Sequence, residues 1–301
     1  MEHFILSAQD NFKIKVYVYG EYTKNFKAVI YIAHGKGEHR AYYEDLVKKL
    51  VLSSYIVVIH DHRGHGEYSD GSGTFKLNSY ENNFMLMVHD LRVINSFIRE
   101  KFQGKKVFMF GHSMGAWLLL RYAQIYGEKI DKLILSGIGI KSRIRFSLIT
   151  SAVKILCVFT NSHKENKFFS SMFKRILSRK FKNLKVSSIL TSDEKILNIY
   201  LNDKLRIKSY SLKFNYYLFS EIRKAVKISS FNKVNKYSKV LIIAGSNDPI
   251  CFFKEGVVNL NKSFLMAGIN SSCKIYENMR HNILAETNSH RVINDILKFL
   301  N

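Results

Sequence analysis

Apolar positions along the chain follow two recurring patterns: short β-rich runs that end in glycine-bearing loops, and longer stretches with apolar residues three and four apart. "FKIKVYVY" (12–19) alternates and predicts a half-buried strand with a turn at Gly20, and "AVIYIAHG" (28–35) and "YIVVIHDHRGHG" (55–66) predict strands running into glycine-rich loops. Between these two, "YYEDLVKKLVLSS" (42–54) places Leu46, Val47, Leu50 and Val51 on one helical face. The alternation continues with a helix over 82–102, a strand over 106–110, a helix from Met114 to Tyr126 and a strand over 132–137. It lapses over 139–233, which is rich in lysine and serine and mostly helical in pattern. "KVLIIAGSNDPI" (239–250) restores it, and "CKIYENMRH" (273–281) leads to a C-terminal helix. Strands alternating with helices predict an α/β protein with a mostly parallel central sheet flanked by helices. The expected organisation is a core from 1–138 and 234–301, interrupted by a mainly helical cap over 139–233.

With 301 residues, the chain can bury roughly 75% of its unfolded surface. Apolar residues make up 47% and charged residues 24%, ordinary values for a folded globular protein and unlike those of disordered or fibrous chains. The N-terminal apolar run, Phe4 to Leu6, is too short for a signal peptide, and no run approaches the roughly 18 residues of a spanning helix. Cys157, Cys251 and Cys273 are widely spaced and odd in number, which points to a reducing, cytoplasmic setting rather than a disulfide framework. The net charge of +23 is unevenly spread. Residues 139–233 hold 21 Lys and Arg against 5 Asp and Glu, and between Lys141 and Lys185 twelve bases face Glu165 alone. Such a surplus suits an anionic membrane surface, and no recognised nucleic-acid motif accompanies it, so nucleic acid is not an expected partner.

"GHSMG" (111–115) has the form G-x-S-x-G, follows an apolar strand and opens a helix, the context in which a strained turn lifts a serine oxygen above the sheet. So short a pattern also fits an ordinary serine in a strand-to-helix loop, and a serine hydroxyl needs a base oriented by a third group before it can attack. Asp248, after "VLIIAG", and His281, in "YENMRHNIL", follow Ser113 in the order Ser, Asp, His, each just past a strand. Alone, Asp248 could be a turn former before Pro249, and His281 a surface histidine. An oxyanion needs two donors: the N–H of Met114, just after the serine, and one from "AHGKGEH" (33–39), best placed at Lys36. That loop could instead cradle phosphate, but it has neither a Walker pattern nor G-x-G-x-x-G. His60, His62 and His65 in "HDHRGHG" lack the spacing and carboxylates of a metal site and read as structural or pocket-lining.

Together, "HGKGEH", "DHRGHG", "GHSMGA", "GSNDPIC" and "YENMRHNILAE", in this order, resemble the monoglyceride lipase and lysophospholipase branch of the α/β-hydrolase superfamily, the serine aminopeptidase-like hydrolases. "LTSDEKILNIYLNDKL" (190–205) resembles that family's cap. The resemblance implies the α/β-hydrolase fold, with Ser113 as nucleophile, Asp248 as orienting acid, His281 as base, and Lys36 and Met114 as backbone donors. Neither a metal nor an organic cofactor is implied. Glu38 matches a residue that binds the glycerol end of the substrate, and Tyr42 and His34 join it as expected pocket residues. Tyr42 departs from the arginine frequent in relatives and leaves the head group open, and Lys204 stands where the cap usually has proline. The expected substrate is a lipid ester, a monoacylglycerol or lysophospholipid. A small-ester esterase, thioesterase, peptidase or non-catalytic binding protein would share the fold. "RIRFSLITSAVKILCVF" (143–159) is either a buried helix or an amphipathic one that rests on anionic lipid. Oligomeric state is left open.

Overall fold

The computed structural model describes residues 1–20, 25–76, 81–128, 130–178 and 186–301. Among them, strands β1 (Glu2–Ser7), β2 (Lys13–Tyr19), β3 (Val29–Ala33), β4 (Ile56–His60), β5 (Val107–His112), β6 (Lys132–Ser136), β7 (Lys239–Gly245) and β8 (Ser271–Tyr276) form one sheet in the order β1-β2-β4-β3-β5-β6-β7-β8. The β1–β2 and β2–β4 pairs are antiparallel and all others parallel. Strands β3, β4 and β5 are buried at every position. Continuous apolar runs are what strands covered on both faces require.

The helices are α1 (Glu44–Leu52), α2 (Asn83–Lys101), α3 (Met114–Tyr126), α4 (Arg143–Phe159), α5 (Lys167–Ser178), α6 (Glu194–Asn202), α7 (Leu212–Ala225), α8 (Ile228–Phe231), α9 (Phe253–Met266) and α10 (Ser289–Leu300). The pleat divides β3 between two cores. Ile30 and Ile32 pack with Leu46 and Leu50 of α1 and with Val292 and Ile296 of α10. Val29, Tyr31 and Ala33 pack with residues such as Leu91 of α2, Leu119 of α3 and Leu260 of α9 on the other face. This is the α/β-hydrolase architecture expected from the sequence.

Two features go beyond the sequence pattern. β1 pairs with β2 from Glu2 opposite Val18 to Ser7 opposite Lys13, around a turn where Asn11 takes φ 62°. Only Phe4 and Leu6 of this edge strand pack on the core, so its apolar signal is weak. Helix α7 lies in the basic insertion but joins cap to core. Its buried Glu221 meets Arg121 of α3 at 3.2 Å and Lys224 at 2.7 Å, and Gln124 donates to Ala225 O at 2.9 Å. Lys185, which bounds the densest run of bases, lies outside the described residues, as do Arg179, Lys180 and Lys182.

The loop after β4 is fixed by charge. Arg63, 4% exposed, donates to Asp90 of α2 at 2.5 and 2.7 Å and to Asp10 at 2.6 Å. Removing one member of a buried ion pair leaves the other charge without compensation, at a cost of about 3–5 kcal/mol. Arg63→Met is therefore expected to lower stability by about that amount, read as a lower urea midpoint with an unchanged slope.

Candidate active site

Ser113 sits between β5 and α3 with φ 51° and ψ −116°, a conformation that a residue with a side chain adopts only when its surroundings impose it. The constraint comes from the glycines on either side. A Cβ on Gly111 would lie 2.7 Å from Ala116 N, and one on Gly115 would lie 2.2 Å from Ala33 O. The Ser113 N–H donates to Ser136 O at 2.8 Å and anchors the turn to β6.

Ser113 Oγ is 2.9 Å from His281 Nε2, and His281 Nδ1 is 2.7 Å from Asp248 Oδ2. Nδ1 faces a carboxylate and so carries the ring proton, which leaves Nε2 to accept from the serine hydroxyl. Asp248, fully buried, is held by the Ile250 N–H at 2.8 Å on its other oxygen. The cap fixes the histidine loop, with His281 N–H donating to Ile189 O at 3.1 Å and Asn282 N–H to Leu190 O at 2.7 Å. Burial disfavours the imidazolium of His281, but the charge and hydrogen bond of Asp248 and the charge of Glu38 outweigh it and raise its pKa above the ordinary value. His112, within the G-H-S-M-G turn, is pushed by burial down to about 4, with Glu38 opposing only in part. Two neighbouring histidines, 4.8 Å apart between ring centroids, are thus driven in opposite directions.

The backbone N–H groups of Lys36 and Met114 have no protein acceptor among the described residues. Both residues line the same cavity as Ser113 and His281. Glu38 also lines it, but its carboxylate already accepts from Gly35 N–H at 2.8 Å, Tyr43 OH at 2.6 Å and Asn282 Nδ2 at 3.3 Å. Burial works against that carboxylate, yet His112, the Tyr43 hydroxyl and the Gly35 N–H together hold its pKa below the usual value. Tyr42 and His34 are not brought to the cavity wall. The Tyr42 hydroxyl donates to Asp203 of the cap at 2.5 Å, and His34 clips the loop by accepting from His62 N–H at 2.8 Å while its Nδ1 meets Gly35 O at 2.8 Å. His60, His62 and His65 pack ring against ring beside it, and burial drives all three well below the ordinary histidine pKa.

The cavity has a volume of about 330 Å³. Its lining combines apolar residues, Trp117, Phe169, Phe173, Leu218 and Phe219, with polar ones, Lys36, Glu165, Arg206, Lys208 and Asn215. A second cavity of about 560 Å³ shares the walls formed by Trp117, Phe173, Phe219 and Ile250 and extends toward α4 and α9. Sequence reasoning did not single out His112, Trp117, Asn215 or Asn282 for the site. Only His112 carried a local signal, as the x of G-x-S-x-G.

The model of the serine aminopeptidase S33 hydrolases (Hydrolase_4) matches residues 24–288. The chain belongs to that family. Among curated proteins, the S33 chain is 26% identical over 274 residues to a monoglyceride lipase homolog of monkeypox virus, covering 90% of this chain and 88% of the relative. It is 25% identical over 276 residues to human monoglyceride lipase, covering 87% and 78%. Among solved structures it resembles a thermostable carboxyl esterase of Bacillus coagulans in complex with glycerol, with TM-score 0.89, 22% identity and coverage of 100% and 97%. It also resembles a soluble variant of Saccharomyces cerevisiae monoglyceride lipase in complex with a substrate analog, with TM-score 0.71, 20% identity and coverage of 99% and 96%. Such structural likenesses carry the fold of this S33 hydrolase.

The opposed histidine environments set a test in solution. By 1H–13C NMR of labelled histidine, His281 is expected to titrate above the ordinary value of about 6.5 and His112 near 4. Asp248→Asn should bring His281 down and leave His112 low.

Proposed function

We propose that this carboxylic ester hydrolase cleaves lipid monoesters, monoacylglycerols or lysophospholipids, through an acyl-enzyme on Ser113. The observation that carries the reading is the hydrogen-bonded sequence from Ser113 Oγ through His281 to Asp248, set on a strained turn beside two unengaged backbone N–H groups. Ser113 attacks the ester carbonyl as its proton passes to His281 Nε2, and the N–H groups of Lys36 and Met114 receive the developing oxyanion. Collapse releases the glycerol-bearing alcohol, protonated by His281. Water, deprotonated by the same nitrogen, then frees the fatty acid and restores the serine. The apolar lining of the cavity and of the one adjoining it suits an acyl chain. The names of the monkeypox and human relatives favour a monoacylglycerol over a small ester, thioester or peptide.

Delivery of a lipid raises the question of the cap, whose outer surface is apolar as well as basic. On α4, Ile144 (73% exposed), Leu148, Ile155, Val158 and Phe159 (80%) fall on one face at helical spacing. Arg143, Arg145 and Lys154 are exposed on the same helix, and Phe168, Met172 and Ile176 make a parallel stripe on α5. The inner side of α5, Phe169 and Phe173, walls the cavity. A helix with exposed apolar residues flanked by bases suits the interface of an anionic bilayer, where each base contributes about 1 kcal/mol. No described helix is long and apolar enough to cross a membrane, so this contact is peripheral.

Two measurements test these readings. Ser113→Ala is expected to lower kcat on monoacylglycerols and lysophospholipids by about 10⁴-fold or more and to abolish labelling by a fluorophosphonate. A wild-type protein that turns over no ester and takes no label at Ser113 sinks the proposal. In flotation assays, phosphatidylserine-containing vesicles should retain the protein more strongly than pure phosphatidylcholine. Ile144→Glu with Phe159→Glu, or neutralising Arg143, Arg145 and Lys154, should release it, and retention that ignores both changes refutes membrane docking.

A further inference from the structure

Ester hydrolysis uses the backbone of Lys36 and leaves its side chain unexplained. The ammonium donates to Asn215 Oδ1 at 2.7 Å and lies over the rings of Tyr210 and Phe214, with centroids 4.2 and 5.5 Å away. None of these groups is charged. Among the described residues no carboxylate pairs with it, and Glu165, whose charge reaches it, is bound by Ser209 Oγ at 2.7 Å. Burial presses its pKa down to about 7, with Glu165 opposing. A half-buried cation beside an amide and two π faces lacks a counter-ion, and an anion entering the cavity would favour its charged form.

Two further cations, the half-buried Arg206 and the exposed Lys208, line the same cavity. They belong to a segment fastened to the loop of Lys36, with Ile207 N–H donating to Gly37 O at 3.3 Å, and to the loop of Gly73, whose carbonyl accepts from Lys208 N–H at 2.7 Å. Gly37 makes this approach possible, because it has φ 80° and a Cβ there would sit 2.5 Å from Ile207 O. The Arg206 guanidinium stacks 4.0 Å from the Tyr200 ring, and its buried Nε has no acceptor among the described residues. The other acid on the cavity wall, Glu38, is occupied by Gly35, Tyr43 and Asn282.

We infer that Lys36, with Arg206 and Lys208 in the same cavity, forms a subsite for the phosphate of a glycerolipid ester, so that the substrate is a lysophospholipid rather than a neutral monoacylglycerol. The inference rests on the ester-hydrolase reading and narrows it. Covalent reach agrees. In a 1-acylglycerol 3-phosphate, three carbons and an oxygen separate the ester oxygen from phosphorus, and in Lys36 five carbons separate the N–H assigned to the oxyanion from Nζ. The two covalent spans are of similar length.

Trp117, the single tryptophan of the chain, lines the cavity and reports its occupancy. Ser113→Ala protein is titrated by Trp117 fluorescence with 1-octanoylglycerol 3-phosphate and with 1-octanoylglycerol, both below micelle formation. The phosphate ester is expected to bind at least tenfold more tightly. Adding Lys36→Met should remove most of that preference, and Lys36→Arg should keep it. In otherwise wild-type protein, Lys36→Met should lower the ratio of kcat/KM for the phosphate ester to that for the neutral ester to a similar degree, a ratio from which general damage to the oxyanion loop cancels. Equal binding of the two ligands, or a preference unmoved by Lys36→Met, overturns the subsite. So does displacement of 1-octanoylglycerol by inorganic phosphate alone at the same concentrations, which would mark a bare anion site. Tight, Lys36-dependent binding without turnover by the wild-type protein would sink the hydrolase reading and leave the subsite standing.

Discussion

The approach of the α3 N-terminus to the end of β3 is the contact on which the rest of the site depends. It exists because Gly115 has no Cβ; one there would stand 2.2 Å from Ala33 O and 2.6 Å from His34 O, both backbone atoms that cannot swing aside. This closeness puts the Met114 N–H and the loop that starts at His34 on one cavity. It also forces the residue between β5 and α3 into a positive-φ turn, so that Ser113 projects from the sheet instead of lying in it. The placements of Ser113 and of the Met114 N–H are consequences of one steric fact rather than independent of each other.

A second layer of the site is built from buried carboxylates used as fasteners. Glu38 gathers Gly35, Tyr43 and Asn282, and so ties the oxyanion loop, the turn after it and the histidine loop to one another. Glu286 does the same between core and cap. It accepts from Arg280 N–H at 2.8 Å and from Ser192 N–H at 3.1 Å, while Thr191 Oγ1 donates to Ala285 O at 2.7 Å. His281 is therefore clamped from both sides, and only its Nε2 faces an exchangeable partner. Full satisfaction of such groups in a low-dielectric interior makes them rigid, and that rigidity fixes the 2.9 Å between His281 Nε2 and Ser113 Oγ.

How much of this the sequence disclosed follows from what each signal measures. Strands β3 to β7 and helices α2 and α3 were visible because periodicity reports burial of a face, and these elements bury theirs; α4 was visible as an apolar run, most of which lies exposed. β1 was missed because an edge strand with Phe4 and Leu6 as its packed residues gives too little alternation to register. Ser113, Asp248 and His281 were legible because each sits at a strand end within a recurring local pattern. Asn215, Arg206 and Glu165 were not, since their position depends on how the insertion folds back over the core, which no local pattern encodes. Glu38 and Tyr42 were assigned to substrate together, yet the fold separates them: Glu38 lines the cavity fully hydrogen-bonded, and Tyr42 turns to Asp203. Spacing carries chain position and says nothing of which partner claims a side chain.

The cationic surplus of the chain read from the sequence as one property, and the structure divides it into two physical situations. Arg143, Arg145 and Lys154 are exposed, where water screens each charge and only their number matters to a surface potential. Lys36 belongs to the core, and its ammonium is half-buried against Asn215, Tyr210 and Phe214, where burial presses its pKa down to about 7. Composition counts both kinds of charge alike, so the total of +23 does not distinguish the exposed bases of α4 from a lysine whose surroundings hold its pKa near 7.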